Sequence, residues 1–264
     1  MSFTVLITNQ APEGHFLYLH EIATLRFADD PNQLMPREEV LRLVKDVDAI
    51  INQGELRVDD ELLEAAPKLR IVANVAIGTD NLNLKSMTER GIWGTNAPDA
   101  FTDSTADCAM ALLLAVTRKV AVSDRYIRTG AWPNDGFQPV LWEGPLLSGL
   151  AIGIIGYGKI GQAVAKRAEA FGMRVIYHRR RNDGGNGYRS LTELLCEADV
   201  VSLHMPLTAD THHLIDATAL SSMKRGAYVI NLARGPVVNE AALIDALTSG
   251  HLGGAGLDVL ENEP

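Results

Sequence analysis

Residues 151–181 read AIGIIGYGKIGQAVAKRAEAFGMRVIYHRRR, and no other stretch of the chain restricts the fold so tightly. Residues 151–155 form a short apolar run, suited to a parallel strand buried on both faces. Gly156, Gly158 and Gly161 follow as G-x-G-x-x-G. Ala163, Val164, Ala165, Ala168 and Phe171 then recur at helical spacing, Gly172 stops the helix, and a second apolar strand opens at Arg174. Strand, glycine turn, helix and strand together are the unit that holds the pyrophosphate of a dinucleotide. The first glycine permits the tight turn, the second lets the pyrophosphate approach the backbone, and the third lets helix and strand pack closely. The helix N-terminus adds unpaired N–H groups and the positive end of its dipole. A glycine motif standing alone would read as no more than a flexible loop.

The end of the second strand bears on the choice of cofactor. Folds that bind NAD place an acid about 20 residues after the glycines, to hold the ribose 2′-hydroxyl. Here that place is taken by Arg179, with Arg180 and Arg181 after it and no carboxylate. Arginine forks suit a 2′-phosphate in charge and in geometry. The expected cofactor is therefore NADP(H). A solvated basic turn ahead of the Gly/Asn-rich residues 182–187 is the plain alternative, and it leaves the missing acid unexplained.

The chain has 264 residues, 47% of them hydrophobic, enough for a large core in one or two domains. Its net charge of −9 gives no basic field for nucleic acid. Cys108 and Cys196 both sit in apolar helical contexts, which predicts buried free thiols rather than a disulfide or a metal site. The N-terminus, MSFTVLITNQ, lacks the basic start and apolar core of a signal peptide, and the longest apolar run, residues 108–116, is too short to span a bilayer. A cytoplasmic protein without a membrane partner is expected.

Strands are predicted at residues 3–8, 48–52, 69–75 and 92–94, and helices at 36–44, 59–66 and 84–90. This alternation describes a small α/β domain over residues 1–97. Pro98 disfavours helix at Ala97 and marks the connection to a second domain, residues 98–264. A long helix is predicted from about residue 104 toward 127, then an irregular loop over 130–149 with Trp132 and Trp142 as aromatic anchors. Beyond the glycine motif, helices are expected at 191–197, 217–222 and 239–249, and strands at 199–203, 228–232 and 254–259. Parallel strands alternating with helices imply a doubly wound sheet, with ligand at the carboxyl ends of the strands. Polar residues stand at three of those ends: His204 to Thr208, Ala233 to Gly235, and Asp258 followed by Glu261 and Glu263. Taken singly, each reads as a satisfied loop histidine, a surface ion pair or a solvated tail. Grouped around one crevice, they become candidates for the site.

Several ordered motifs then carry a resemblance: NVAIGTDN (74–81), NAPDAFTDSTAD (96–107), GYGKIG (156–161), HMPLT (204–208), NLARGPVVNE (231–240) and GLDVLENEP (256–264). From about residue 71 onward the sequence resembles the D-isomer-specific 2-hydroxyacid dehydrogenases. The arginines after the second strand make it most similar to their NADPH-dependent glyoxylate/hydroxypyruvate reductase branch. The resemblance implies two Rossmann-like domains with the active site in the cleft between them, reduction of a small 2-oxo acid, and a homodimer through the nucleotide domain. It implies that Arg234 clamps the substrate carboxylate and stabilises the developing alkoxide. It also implies that Glu263 supports a histidine general acid. The loop Ala76, Ile77 and Gly78 would offer N–H groups to the substrate. Gly156, Gly158, Lys159, Ile160 and Gly161 would hold the pyrophosphate, with His178 beside Arg179 and Arg180 at the 2′-phosphate. His204, Pro206 and Thr211 would flank the adenosine. Thr105, Ala233 and Asp258 would lie near the nicotinamide. Asp107 stands where the family often has glutamate.

In the family, the general-acid histidine lies some twenty residues beyond the Glu-Pro pair, past Pro264, and no other histidine here matches its motif. A chain cut short from a reductase, with impaired turnover, is the expectation. Two other readings stay open at this point. One is a dinucleotide-binding regulator of the corepressor kind, without turnover. The other is a dehydrogenase for a different 2-hydroxy acid, such as 2-ketogluconate or phosphoglycerate.

Overall fold

The computed structural model describes residues 3–8, 16–28, 30 and 34–263. Two compact units divide the chain between Phe101 and Thr102.

The first unit runs β1 (Phe3–Ile7), α1 (Leu17–Ile22), β2 (Ala23–Phe27), α2 (Arg37–Leu43), β3 (Ala49–Asn52), α3 (Asp60–Ala65), β4 (Ile71–Asn74), α4 (Leu84–Glu89) and β5 (Trp93–Thr95). Its five strands are all parallel, in the order β2-β1-β3-β4-β5. Leu6, Ile50 and Val72 from the central strands pack with Val40, Leu62, Leu63 and Met87 from the helices. Two of the short helices, α3 and α4, start on side-chain caps: Asp59 accepts the Leu62 N–H at 3.1 Å, and Asn83 accepts that of Ser86 at 3.2 Å. Such caps satisfy donors that the first helical turn leaves open. Pro67 follows α3, as its sequence position requires. The pair α1 and β2 is an addition to the sequence expectation. Neither element contains a buried residue, and the alternation of Ala23, Leu25 and Phe27 with Thr24 and Arg26 in β2 is short enough to pass unread.

The second unit runs α5 (Thr102–Thr117), α6 (Val120–Arg128), α7 (Ala131–Asp135), α8 (Pro139–Trp142), β6 (Ala151–Ile155), α9 (Lys159–Ala170), β7 (Arg174–His178), α10 (Leu191–Glu197), β8 (Val200–Leu203), α11 (Ala217–Ser222), β9 (Tyr228–Asn231), α12 (Glu240–Thr248) and β10 (Gly254–Leu257). Its strands are again all parallel, in the order β10-β9-β8-β6-β7. Strand β6 is fully buried, and Gly153 at its centre faces α10 so closely that a Cβ would lie 2.5 Å from the Leu194 side chain. Because β7 and β8 flank β6 on opposite sides, the chain reverses its direction of winding at β6, and a crevice opens at the carboxyl ends there. The expected doubly wound α/β architecture is thus present, with a parallel sheet in each unit.

Three expectations need correction. The single long helix is two, because Lys119 adopts a left-handed conformation (φ 53°) between α5 and α6. The chain also crosses the end of α5 at Gly144, where a Cβ would come 2.1 Å from the Thr117 carbonyl oxygen. The segment after α6 is not wholly irregular, since it contains α7 and α8, the latter begun by a proline that fits its first turn. Cys196 is exposed and Cys108 only half-buried. In α10 the buried face is taken by Leu194 and Leu195, which turns Cys196 outward.

Candidate functional site

The carboxyl ends of the second sheet are tied together by continuations of its ladders. The Gly156 N–H donates to the His178 carbonyl at 3.0 Å, His204 N–H to Ile155 at 2.8 Å, and Asp258 N–H to Asn231 at 3.0 Å. Residues after β6, β7 and β8 therefore meet on one side, and residues after β9 and β10 beside them.

The three glycines have distinct surroundings. Gly156 has φ +95°, and a Cβ there would lie 2.4 Å from the His204 carbonyl oxygen. A Cβ on Gly161 would lie 2.3 Å from the Gly156 carbonyl oxygen, so this glycine lets α9 sit against the turn. A Cβ on Gly158 would meet nothing within 4 Å. Packing therefore demands the first and third glycines, whereas the second borders open space. Gly158 is also the N-cap of α9 and supplies no side-chain cap, so the N–H groups of the first turn, where Lys159 and Ile160 lie, point out of the helix. Glycine loop and helix terminus both fit a pyrophosphate.

At the end of β7, His178 Nδ1 lies 3.0 Å from the Arg189 carbonyl oxygen, which fixes the ring. Arg179, Arg180 and Arg181 are exposed. Arg179 forms an ion pair with Asp183 at 3.1 Å, whereas Arg180 and Arg181 have no carboxylate partner among the described residues. After β8, His204 Nε2 hydrogen-bonds the Ser202 hydroxyl at 2.8 Å, while Nδ1 is enclosed without a partner. Burial pushes the His204 pKa down from 6.5 to about 4, so the ring is neutral at pH 7. Pro206 and Thr211 close the following turn, with the Thr211 hydroxyl donating to the Pro206 carbonyl at 2.7 Å.

After β9, the buried Asn231 side chain shapes the turn that presents Arg234. It accepts the Ala233 N–H at 2.9 Å and donates to the Arg234 carbonyl at 3.1 Å. Arg234 Nη1 donates to the Ala233 carbonyl at 2.8 Å. Gly235 lies hard against Leu260, where a Cβ would fall 1.7 Å from the carbonyl oxygen. Glu263 in turn accepts the Leu260 N–H at 3.0 Å. The turn after β9 and the segment after β10 thus meet at Leu260. Glu261 reinforces this junction: His213 Nε2 lies 2.7 Å from its carboxylate, and its N–H donates to Glu240 at 3.1 Å. The His213 contact holds the Glu261 pKa below the usual range. Thr105, half-buried, lies in the first turns of α5, and Asp258 is exposed at the end of β10.

The loop of Ala76, Ile77 and Gly78 belongs to the first unit, at the carboxyl end of β4. Its three carbonyls are all tied back. The Ala76 oxygen accepts from Ala97 N–H at 2.9 Å, that of Ile77 from Asn96 at 2.8 Å, and that of Gly78 from Asn74 at 2.8 Å. Among the described residues, none of the three N–H groups has an acceptor. Backbone held this way presents donors to an anion. Asn74 and Asn81 exchange two hydrogen bonds of 3.1 Å, and Asn81 reaches the Leu56 carbonyl at 2.9 Å, which locks the loop from beneath.

These asparagines were not among the site residues expected from sequence. A signal for them does exist: Asn52, Asn74 and Asn231 each end an apolar strand and each is buried. A buried amide must find partners, and at a strand's carboxyl end those partners are the loops that bear the site. Asp183 and Tyr177 also went unread, because their link to Arg179 depends on how residues 179–188 fold back.

A two-sheet parallel α/β protein with a glycine-turn phosphate cradle in its second unit belongs to the dinucleotide-binding class. The profile described as "D-isomer specific 2-hydroxyacid dehydrogenase, NAD binding domain" matches residues 110–264. A glyoxylate reductase of Thermococcus litoralis is 44% identical over 268 residues, covering 98% of this chain and 81% of that protein. Another from Pyrococcus horikoshii is 45% identical, covering 98% and 80%. Among solved structures, the TT0316 protein of Thermus thermophilus superposes with a TM-score of 0.90 at 43% identity, covering 99% of this chain and 83% of that one. The NADPH-dependent glyoxylate/hydroxypyruvate reductase of Sinorhizobium meliloti, in complex with NADP and malonate, gives 0.85 at 33% identity, covering 100% and 81%. The chain belongs to the D-isomer-specific 2-hydroxyacid dehydrogenase family, in its glyoxylate/hydroxypyruvate reductase branch. Membership makes it an oxidoreductase working with a nicotinamide dinucleotide.

Proposed function

We propose that this protein reduces a small 2-oxo acid of the glyoxylate/hydroxypyruvate type with NADPH, residues 102–264 holding the cofactor and residues of the first unit helping to hold the substrate. The cluster His178, Arg179, Arg180 and Arg181 at the end of β7 carries the cofactor choice. Two of its guanidinium groups have no carboxylate partner among the described residues, and no acid stands where a ribose 2′-hydroxyl would need one. NADPH, when bound, supplies the hydride. The open face of Gly158 and the uncapped start of α9 would take its pyrophosphate, His204, Pro206 and Thr211 its adenosine side, and Thr105, Ala233 and Asp258 its nicotinamide end.

Arg234 has the role of holding the substrate carboxylate and stabilising negative charge on the keto oxygen, and its turn is kept in shape by Asn231. The N–H groups of Ala76, Ile77 and Gly78 are suited to a carboxylate as well. Glu263 serves to orient and charge a histidine acid. About a fifth of each relative's length lies outside the span matched here. The protein acts as a homodimer through its second unit. Tyr126, Trp132, Phe137 and Trp142 pack edge to face there, and Val120, Val122, Ile127 and Leu146 of the same stretch of chain are exposed. An apolar patch of this kind marks an association surface.

The test is NADPH oxidation with glyoxylate and with hydroxypyruvate, by the 264-residue chain and by a version completed with the C-terminal segment of the Thermococcus litoralis relative. The version carrying that segment should turn over at least one of the two substrates. In it, Arg234→Ala should lower kcat/KM by about 10²–10³-fold while leaving NADPH binding within a few-fold. NADPH binding without turnover of either substrate by the completed version would discard the reductase reading in favour of a regulator or another substrate.

A further inference from the structure

Arg179 does not wait free for a phosphate. Its Nη1 donates to Asp183 Oδ2 at 3.1 Å, four residues along. The other oxygen of Asp183 accepts the Tyr177 hydroxyl at 2.7 Å and the Gly185 N–H at 3.1 Å. The carboxylate is therefore held from two sides that owe nothing to Arg179. Tyr177 is itself immobilised: it is buried, and it stacks on Tyr157 with ring centroids 3.8 Å apart and planes inclined by 12°. Tyr157 is the residue between Gly156 and Gly158 in the phosphate turn.

The loop is shaped to keep this arrangement. It leaves β7 and returns to it, with Tyr177 N–H bonded to the Gly187 carbonyl at 2.8 Å and Arg189 N–H to the Tyr177 carbonyl at 2.9 Å. A Cβ on Gly185 would lie 2.2 Å from the Tyr177 hydroxyl oxygen, and one on Gly187 3.1 Å from its ring. Both glycines make room for the phenol that holds Asp183. The hydrogen bond from Tyr177 leads the forces that keep the Asp183 carboxyl below its usual range, with the Gly185 N–H and Arg179 contributing less. It is ionised at neutral pH.

We infer that Asp183 is a specificity-determining residue, a fixed internal carboxylate that occupies Arg179 in place of a cofactor 2′-phosphate and lowers this chain's preference for NADPH over NADH. The inference rests on the NADPH reading above and refines it. Of the three consecutive arginines, Arg179 alone is paired with a carboxylate among the described residues. A 2′-phosphate arriving at Arg179 would have to displace the pair or share it, and would carry its own negative charge toward a carboxylate that Tyr177 and Gly185 keep in place. NADH has no such group and meets no such repulsion. Asp183 thus sets the ratio between the two cofactors without taking part in hydride transfer.

The experiment measures dissociation constants of NADPH and NADH by fluorescence titration of the 264-residue chain, together with 2′-AMP and 5′-AMP as fragments that do and do not carry the distinguishing phosphate. Asp183→Asn keeps an oxygen for Tyr177 and Gly185 and removes the charge. It should tighten NADPH and 2′-AMP by about threefold to tenfold and change NADH and 5′-AMP by less than about twofold, as expected for one exposed like charge. The gain should shrink at high salt, which a purely structural effect would not do. Asp183→Ser provides a second neutral variant with the same expected ratio. Unchanged or weakened NADPH binding in both variants, with Arg179→Ala still weakening NADPH, would overturn the role of Asp183 and leave the NADPH reading standing. If Arg179→Ala leaves NADPH binding untouched, both fall together.

Discussion

The fold shifts the titration of His204 strongly, because its ring is withdrawn from water. One ring nitrogen is bonded to Ser202 and the other is enclosed without a partner, so a proton on the ring would meet no acceptor. Its pKa near 4 in the folded chain, against 6.5 in the open one, has a definite sign for stability. Between those values the unfolded chain binds the extra proton, so acid favours unfolding. The folded state is fully stable above pH 6.5, loses stability as the pH falls from 6.5 to 4, and loses no more from this group below 4. The loss by pH 4.5 should approach about 2 kcal/mol. Urea unfolding at pH 7 and pH 4.5 measures it, and His204→Gln should remove most of that difference. An equal difference in the variant would show that the acid sensitivity lies elsewhere. A neutral His204 also fits the adenosine side of a site whose cations are gathered at Arg179 to Arg181.

Among the elements, β6, its turn and α9 form the part whose sequence and structure agree most closely. Five buried residues, three glycines and a helix with its apolar face inward are all local features, and local features are what a sequence displays. The structure nevertheless separates glycines that look equivalent in the motif. Gly161→Ala would drive a Cβ into the Gly156 carbonyl and should destabilise the fold by about 1–3 kcal/mol. Gly158→Ala meets no neighbour and should leave the melting temperature within a degree or two, roughly the response to a small exposed change. It should nonetheless weaken NADPH binding by about tenfold or more, because the new methyl stands where the pyrophosphate approaches. Thermal melts and titrations on both variants distinguish the roles; full NADPH affinity in Gly158→Ala would place the phosphates elsewhere. Of the elements that escaped sequence reading, α1, β2 and α7 contain no buried residue. The helix read as one and found as two breaks at Lys119, where a polar residue with φ 53° gives no warning of the kind that glycine or proline would.

At the scale of the whole molecule, the exposed apolar side chains of α6 and the segment after it call for a partner surface, and the proposed homodimer supplies one. No residue of α6 is buried in the single chain, although Val120, Val122 and Ile127 are apolar. Sedimentation should give a dimer at micromolar concentration, and Ile127→Asp should move it toward monomer without lowering the helix content seen by circular dichroism. A monomer at all concentrations would remove that part of the proposal. Much of the fold was legible in the chain. Most of the strands are short, largely apolar runs, α3, α4, α10, α11 and α12 follow side-chain caps, and α4, α9 and α12 are closed by a following glycine, so element type and the α/β class come from interactions within about ten residues. The cradle for a dinucleotide and the arginines beside it were likewise written in order along β6 to β7. Tertiary structure alone decided which backbone groups the site leaves open. The N–H groups of Ala76, Ile77 and Gly78 are presented because Asn74, Asn96 and Ala97 take up the carbonyls. Arg179 is occupied because a loop folds Asp183 back beneath Tyr177. Such pairings depend on distances set only once strands are packed side by side, whereas hydrophobic period and glycine geometry act on the chain before it has met itself.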